Sequence, residues 1–297
     1  MTNGASAIAI KMNIKPFIVG LTIVAMGTSA PELFVSLSSA LEAANSGNAG
    51  MGDIAVGNVV GSNIFNNLLI VGSVSLIAPL AVKTITVKRD LPIVALASLA
   101  LLLFLLNGNL NRLEGAFFCV CFVLYMWMTV RSAKTSDSDD EQVEGVKEMP
   151  LWKAILLIII GLAVLVYASD KFVEYASDIA TRLDVSEKIV GLTIVGAGTS
   201  APELATSIMA ARKGQGDMAI GNVIGSNIFN ILMILGLTGL IQPIEGITIN
   251  FIDLGVLILA ALLFWLFSFT KYKLERWEGC VLLALCAGYI TWLVVNA

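Results

Sequence analysis

The chain has 297 residues, of which 57% are hydrophobic and only 13% are charged, and its mean hydropathy is +0.88. Soluble globular proteins average about 25% charged residues, so this composition excludes a water-soluble enzyme and a disordered protein. The net charge of −4 offers no basic surface for nucleic acid, and the sequence has no histidine for a zinc centre or a proton relay. The composition therefore indicates a polytopic membrane protein and argues against catalysis.

Windows of about 20 predominantly apolar residues predict nine membrane spans. In chain order, these spans cover residues 16–41, 54–80, 90–107, 113–130, 152–170, 188–211, 217–241, 250–270 and 276–295. One long polar and acidic linker, 131–150, separates a first half, 1–130, from a second half, 151–297. We therefore expect an all-α bundle made of two halves.

The basic residues predict the orientation of the chain. In the nine-span arrangement, fourteen of the eighteen Lys and Arg residues fall on one side of the membrane. Cytoplasmic loops carry such an excess, so we expect Met1 and the acidic linker in the cytoplasm and Ala297 outside, in the cytoplasmic membrane of a prokaryote.

The two halves repeat each other. GLTIVAMGTSAPEL at 20–33 recurs as GLTIVGAGTSAPEL at 191–204, a shift of 171, and GNVVGSNIFN at 57–66 recurs as GNVIGSNIFN at 221–230, a shift of 164. The two GTSAPE spans are the first and the sixth, so they cross the bilayer in opposite directions. This arrangement is an inverted-topology repeat, in which ion sites lie near the midplane where the repeats meet.

The alignment of the repeats also predicts that one helix has no counterpart. The shift of 171 pairs Met1 with Phe172, so the span at 152–170 has no equivalent in the first half. We therefore expect nine spans where two complete repeats would give ten. A misassigned start, a fragment or the loss of the leading helix would each explain the difference.

Two of the 22 acidic residues, Glu32 and Glu203, lie deep inside apolar spans and occupy the same position of the repeat. An ionised carboxylate at that depth costs about 2.5–3.5 kcal/mol on insertion scales. Because no Lys or Arg lies at comparable depth, a cation or a proton is the remaining partner. A protonated carboxyl that only ties helices together is the structural alternative.

Each glutamate follows a proline that frees a helix carbonyl four residues before it, and hydroxyl and amide side chains recur near both. Such a ligand set has no sulfur donor and favours the hard cations Na⁺ and Ca²⁺. The motif glycines would let the helices approach closely. The candidate ligands are Glu32, Thr28, Ser29, Ser62, Asn63 and Asn66 in the first half, and Glu203, Thr199, Ser200, Ser226, Asn227 and Asn230 in the second.

GTSAPE followed by GNxxGSNxxN, present twice in this order, resembles the paired alpha-repeats of the sodium/calcium exchanger family, within the cation/calcium antiporter superfamily. The resemblance implies ten helices, two inverted five-helix repeats and four central cation sites. It also implies that Glu32 and Glu203 are the central carboxylates shared by Ca²⁺ and Na⁺, and that Thr28 and Thr199 supply backbone carbonyls to Ca²⁺. The motif serines would serve flanking Na⁺ sites: Ser29, Ser62, Ser200 and Ser226.

The resemblance places Asn66 and Asn230 at the remaining midpoint positions. Many exchangers carry Asp at the second of these positions, whereas this chain has Asn230. The formal charge of the site is then −2, from the two glutamates, which one Ca²⁺ or two Na⁺ would neutralise.

These features predict a secondary transporter that exchanges Na⁺ for Ca²⁺ by alternating access, with the two ions as its substrates, the lipid bilayer as its environment and no cofactor. In the nearest alternative, the same glutamates alternate between a proton and Ca²⁺ or another divalent cation. A passive cation channel and a non-transporting fragment remain as further alternatives.

Overall fold

The computed structural model describes residues 1–11, 14–46, 49–135, 149–182, 196–247 and 249–296. Within these ranges the first half is helical apart from one two-residue strand. Its elements are α1 (Thr2–Lys11), α2 (Pro16–Thr28), α3 (Ala30–Ser46), α4 (49–77), β1 (Leu80–Ala81), α5 (Thr86–Asn107) and α6 (Arg112–Thr135).

The second half has the same order of helices from its first motif onward, but its strand lies between its last two helices. Its elements are α7 (Leu151–Arg182), α8 (Gly196–Thr199), α9 (Ala201–Arg212), α10 (Gly216–Ile241), α11 (Phe251–Phe269), β2 (Lys273–Leu274) and α12 (Arg276–Asn296).

Seven helices in the described part of the chain are long and apolar enough to cross a membrane: α4, α5, α6, α7, α10, α11 and α12. An eighth span forms if α2 and α3, which meet at a bend of 44°, are counted together. The predicted span at 188–211 is described only from residue 196 onward, as α8 and α9.

Two span boundaries differ from the sequence prediction. Helix α6 continues to Thr135, past the predicted end of its span at 130, and α7 continues to Arg182 rather than ending near 170. Most of the predicted acidic linker, 136–148, lies outside the described residues. The extensions were missed because a helix can continue in polar sequence, whereas a hydropathy window ends there.

The sequence predicted no membrane span before residue 16; a short helix, α1, lies there and packs against α7. The contact is close at Gly4, where an added Cβ would lie 2.5 Å from the carbonyl oxygen of Ala154. A helix of ten residues is too short for a span window to detect. Under the repeat shift of 171, α1 corresponds to the last part of α7.

The core of the bundle is formed by α4 and α10, which are the most buried of the spans. Helix α2 of the first half packs on α10 of the second, and α8 packs on α4. A Cβ added to Gly221 would lie 2.3 Å from the carbonyl oxygen of Phe17, and one added to Gly225 would lie 2.2 Å from that of Leu21. The predicted close approach is confirmed for these two glycines. Their counterparts in the first half are Gly57 and Gly61. A Cβ added to either of them would meet no described atom within 4 Å.

Backbone hydrogen bonds join the two halves at both ends of α10. Near its first residue, β1 pairs with β2 so that Leu80 lies opposite Leu274. Beyond its last residue, Leu110 pairs with Ile244. The shift of 164 relates Leu80 to Ile244 and Leu110 to Leu274. The two pairings are therefore equivalent contacts, one at each end of α10. An ion pair between Lys83 and Asp217 accompanies the first pairing.

Candidate cation-binding site

Both GTSAPE motifs contain a break between two helices. Ser29 (φ −84°, ψ 11°) separates α2 from α3, and Ser200 (φ −83°, ψ 1°) separates α8 from α9. Pro31 has no N–H to bond the carbonyl of Gly27, so the turn before the proline opens. The distortion predicted at the proline therefore falls two residues earlier, at the serine.

Each break places its glutamate in the first turn of a new helix. Glu32 lies in the first turn of α3, and Glu203 lies in the first turn of α9. Negative charge is favourable there because the first N–H groups of a helix carry partial positive charge. The local sequence thus positions a buried carboxylate without a basic residue beside it.

The structure brings the two glutamates together at the contact between the halves. Glu32 is 0% exposed and Glu203 is 1% exposed. Ser29, from the first half, donates to Glu203 Oε1 at 2.9 Å, and Ser62 donates to Glu32 Oε1 at 3.3 Å. Ser62 also lies 3.5 Å from Thr199 Oγ1 of the second half, so both carboxylates belong to one cluster of polar side chains.

The second oxygen of each carboxylate is buried and has no hydrogen-bond partner among the described residues. Within the same residues, no Lys or Arg forms an ion pair with either glutamate. A buried polar atom without a partner costs about 1–3 kcal/mol. Further unpartnered atoms occur among the predicted ligands: Ser200 Oγ, Ser226 Oγ, Asn66 Oδ1 and Nδ2, Asn227 Oδ1 and Asn230 Oδ1.

The two threonine hydroxyls are turned toward asparagines of the opposite half. Thr28 Oγ1 donates to the carbonyl of Val24 at 3.1 Å and lies 3.4 Å from Asn222 Oδ1. Thr199 Oγ1 lies 3.5 Å from Asn58 Oδ1. These bonds use the hydroxyl protons, and the oxygen lone pairs of each hydroxyl and of each threonine carbonyl remain able to face a cation.

Asparagine side chains link the two motifs within each half. Asn58 Nδ2 donates to the carbonyl of Glu32 at 3.1 Å and to Ser36 Oγ at 3.0 Å. Asn222 makes the equivalent bonds, at 3.4 Å to the carbonyl of Glu203 and at 2.9 Å to a serine hydroxyl. The two serines, Ser36 and Ser207, are related by the shift of 171 but were not among the predicted ligands.

Asn66 and Asn230 lie at equivalent places on π-helical turns within α4 and α10. These turns cover Asn66–Ile70 and Phe229–Leu235. Wider turns of this kind are frequent at functional sites because they shift side chains out of the regular helical register. Both residues are buried, at 1% and 0% exposure.

The remaining predicted ligands, Asn63 and Asn227, contact each other across the halves, since Asn63 Nδ2 donates to the carbonyl of Asn227 at 3.0 Å. All twelve predicted residues are buried. The described residues contain no group of three or more His, Cys, Asp and Glu side chains able to hold a resident metal. Two carboxylates among neutral oxygens are hard ligands of the kind that Na⁺ and Ca²⁺ favour.

Apolar spans around such a polar centre are the arrangement expected of an integral membrane transporter of cations. The family model for sodium/calcium exchanger protein matches residues 1–131 and 153–295. The chain belongs to this family of membrane antiporters. The resemblance found in the two repeated motifs is thereby confirmed.

Similar proteins occur in bacteria and archaea. The putative antiporter CaxA of Alkalimonas amylolytica is 43% identical over 296 residues, which cover 96% of this chain and 90% of CaxA. The inner membrane protein YrbG of Escherichia coli is 36% identical, with coverages of 98% and 89%. The sodium/calcium exchanger MaX1 of Methanosarcina acetivorans is 33% identical, with coverages of 98% and 91%.

The fold is similar to solved structures of the sodium-calcium exchanger NCX_Mj. The structure soaked with 2.5 mM Na⁺ and 10 mM Sr²⁺ has a TM-score of 0.82 and 30% sequence identity, and the match covers 98% of this chain and 91% of that one. A second structure, soaked with 2.5 mM Na⁺ and 0.1 mM Ca²⁺, has a TM-score of 0.79 and 29% identity.

Proposed function

We propose that this protein is a Na⁺/Ca²⁺ antiporter in which both ions bind in turn to Glu32 and Glu203. The observation that carries the proposal is the pair of fully buried carboxylates, each with one unpartnered oxygen, at the contact between the two halves. The relationship to MaX1 and NCX_Mj supports Na⁺ as the coupling ion. Ca²⁺ is the transported substrate in this proposal.

The charge of the site explains why the ions would exclude each other. Because Asn230 is neutral, Glu32 and Glu203 give a formal charge of −2. One Ca²⁺ or two Na⁺ neutralise this charge, whereas both together would leave uncompensated positive charge in a medium of low dielectric constant. Either occupancy removes the cost of an empty pair of buried carboxylates, and this favours exchange over leak.

Contacts between the halves offer a physical basis for alternating access. Ser29 of the first half bonds Glu203 of the second, and Thr199 of the second lies 3.5 Å from Ser62 of the first. A movement of one half against the other therefore changes both the ligands and the access route at once. Within the proposal, the halves are inverted repeats, the serines and midpoint asparagines complete the cation sites, and Met1 and the acidic linker face the cytoplasm.

Uptake of ⁴⁵Ca²⁺ into proteoliposomes driven by a Na⁺ gradient tests the proposal. We expect Glu32→Gln and Glu203→Gln each to abolish uptake. Glu114→Gln is the matched control, because Glu114 caps its own helix by accepting from the backbone N–H of Asn111 at 2.8 Å, a role that Gln fulfils. Uptake retained in either site variant would remove the carboxylates from the mechanism.

The same vesicles separate the other modes of transport. Uptake driven by a pH gradient and not by a Na⁺ gradient would show proton coupling, and uptake that needs no counter-ion would show a channel. A rise in the melting temperature with Ca²⁺, present in the wild type and lost in Glu203→Gln, would show that a folded variant fails in binding.

A further inference from the structure

A short chain of buried amides crosses from α4 to α10 beside the carboxylates. Asn63 Nδ2 donates to the backbone carbonyl of Asn227 at 3.0 Å, and Asn230 Nδ2 donates to Asn63 Oδ1 at 2.9 Å. Asn63 and Asn230 are both 0% exposed. Both ends of the Asn63 amide are thus engaged by the protein, which sets Asn63 apart from Asn230.

The backbone carbonyl fixes the direction of this chain. A carbonyl only accepts hydrogen bonds, so Asn63 must turn its nitrogen toward Asn227. The oxygen of Asn63 then faces Asn230, and since that oxygen also only accepts, Asn230 must turn its own nitrogen toward Asn63. The oxygen of Asn230 is thereby left over, buried and without a partner among the described residues.

The equivalent pair in the repeat is arranged differently. Asn227 Nδ2 donates to Asn67 Oδ1 at 2.6 Å, and neither amide atom of Asn66 has a partner among the described residues. Asn67 causes the difference, because its counterpart in the second half is Ile231, which has no polar side-chain atom. The amide of Asn230 is therefore held in one orientation by Asn63, whereas Asn227 does not hold Asn66.

We propose that Asn63 is a positioning residue that keeps the carbonyl oxygen of Asn230 turned toward the bound cation. This inference rests on the proposed cation site. A flipped Asn230 would present its amide nitrogen, the positive end of the dipole, to the cation. With Asn63 in place, a neutral amide supplies an oxygen ligand without the charge of an aspartate.

Equilibrium binding of ⁴⁵Ca²⁺ to the purified full-length protein tests this role through a double-mutant cycle. We expect Asn63→Ala to raise the Kd for Ca²⁺ about three- to tenfold, the loss associated with one hydrogen bond. If Asn63 acts through Asn230, Asn63→Ala should have no further effect in an Asn230→Ala background. The matched control is the repeat-equivalent cycle of Asn227→Ala and Asn66→Ala, whose effects should add.

An equal effect of Asn63→Ala in both backgrounds would overturn the inference, as would an unchanged Kd in the single variant. Coupling of the same size in the control cycle would show a general disturbance of the site and would also overturn it. Gel filtration and the melting temperature identify a variant that fails to fold. Asn63→Ser, which stays polar but is too short to bridge both partners of Asn63, then replaces Asn63→Ala in the cycle. Na⁺ coupling is measured separately, in the transport assay of the wild type, so its failure would leave the inference about Asn63 standing. Absence of Ca²⁺ binding to the wild type would refute both the proposed function and this inference.

Discussion

A methyl group added at Gly225 is expected to force α2 and α10 apart. The Cβ of Gly225→Ala would lie 2.2 Å from the carbonyl oxygen of Leu21 and 2.7 Å from the Cβ of Ala25. Comfortable contacts between carbon atoms are about 3.5–4.0 Å, so the helices must separate by about 1 Å. The obstacle is backbone, which cannot rotate away as a side chain can.

Overpacking of this kind costs about 1–3 kcal/mol, and more where the backbone must move. We expect Gly225→Ala to lower the free energy of unfolding by at least that amount. The control is Gly255→Ala in α11, where a Cβ meets no described atom within 4 Å. Ala is a better helix former than Gly by about 0.5–1 kcal/mol, so the control should be neutral or stabilising.

The measurement is unfolding of the purified protein in mixed micelles on addition of SDS, followed by tryptophan fluorescence. Gly225→Ala should unfold at a lower SDS fraction than the wild type, and Gly255→Ala should not. Equal stability of the two variants would refute the reasoning, because it would mean that α2 and α10 are not in backbone contact at Gly225.

Two further substitutions test individual hydrogen bonds in the protein without added Na⁺ or Ca²⁺. Ser29→Ala removes the donor to Glu203 and should lower the free energy of unfolding by about 1–3 kcal/mol. The control is Ser200→Ala, which should lower it less because the Ser200 hydroxyl has no partner among the described residues. Equal losses of stability in SDS unfolding would contradict the assigned bond. Asn250→Ala removes the side chain that accepts from the N–H of Ile252 at the start of α11 and should cost about 1 kcal/mol. A melting temperature unchanged in Asn250→Ala would show that this cap does not stabilise the helix.

Hydropathy and the internal repeat predict most of the helical architecture. The spans predicted at 54–80 and 217–241 correspond to α4 and α10, and the burial of Glu32 and Glu203 follows from their position in apolar sequence. These features are predictable because the bilayer requires long apolar helices and because both halves retain the same motifs.

Features that depend on contacts distant in sequence could not be predicted. No local sequence pattern predicts the pairing of Leu80 with Leu274, because each strand has only two residues. Asn67 lies outside the part of the motif that repeats, so no sequence pattern assigns it to the amide network. The orientation of Asn63 depends on a backbone carbonyl of the other half, which appears only once the helices are packed.

The backbone pairings between the halves also constrain how the protein is made. Leu274, the partner of Leu80, follows α11, so this pairing cannot form until α11 and β2 have left the ribosome. Until then, Glu32 and the asparagines of α4 lack the second-half residues that cover them. During biogenesis, the first half is inserted into the membrane before the second half can cover it. We therefore expect the protein to depend most on insertases, and to be most exposed to membrane proteases, at this stage.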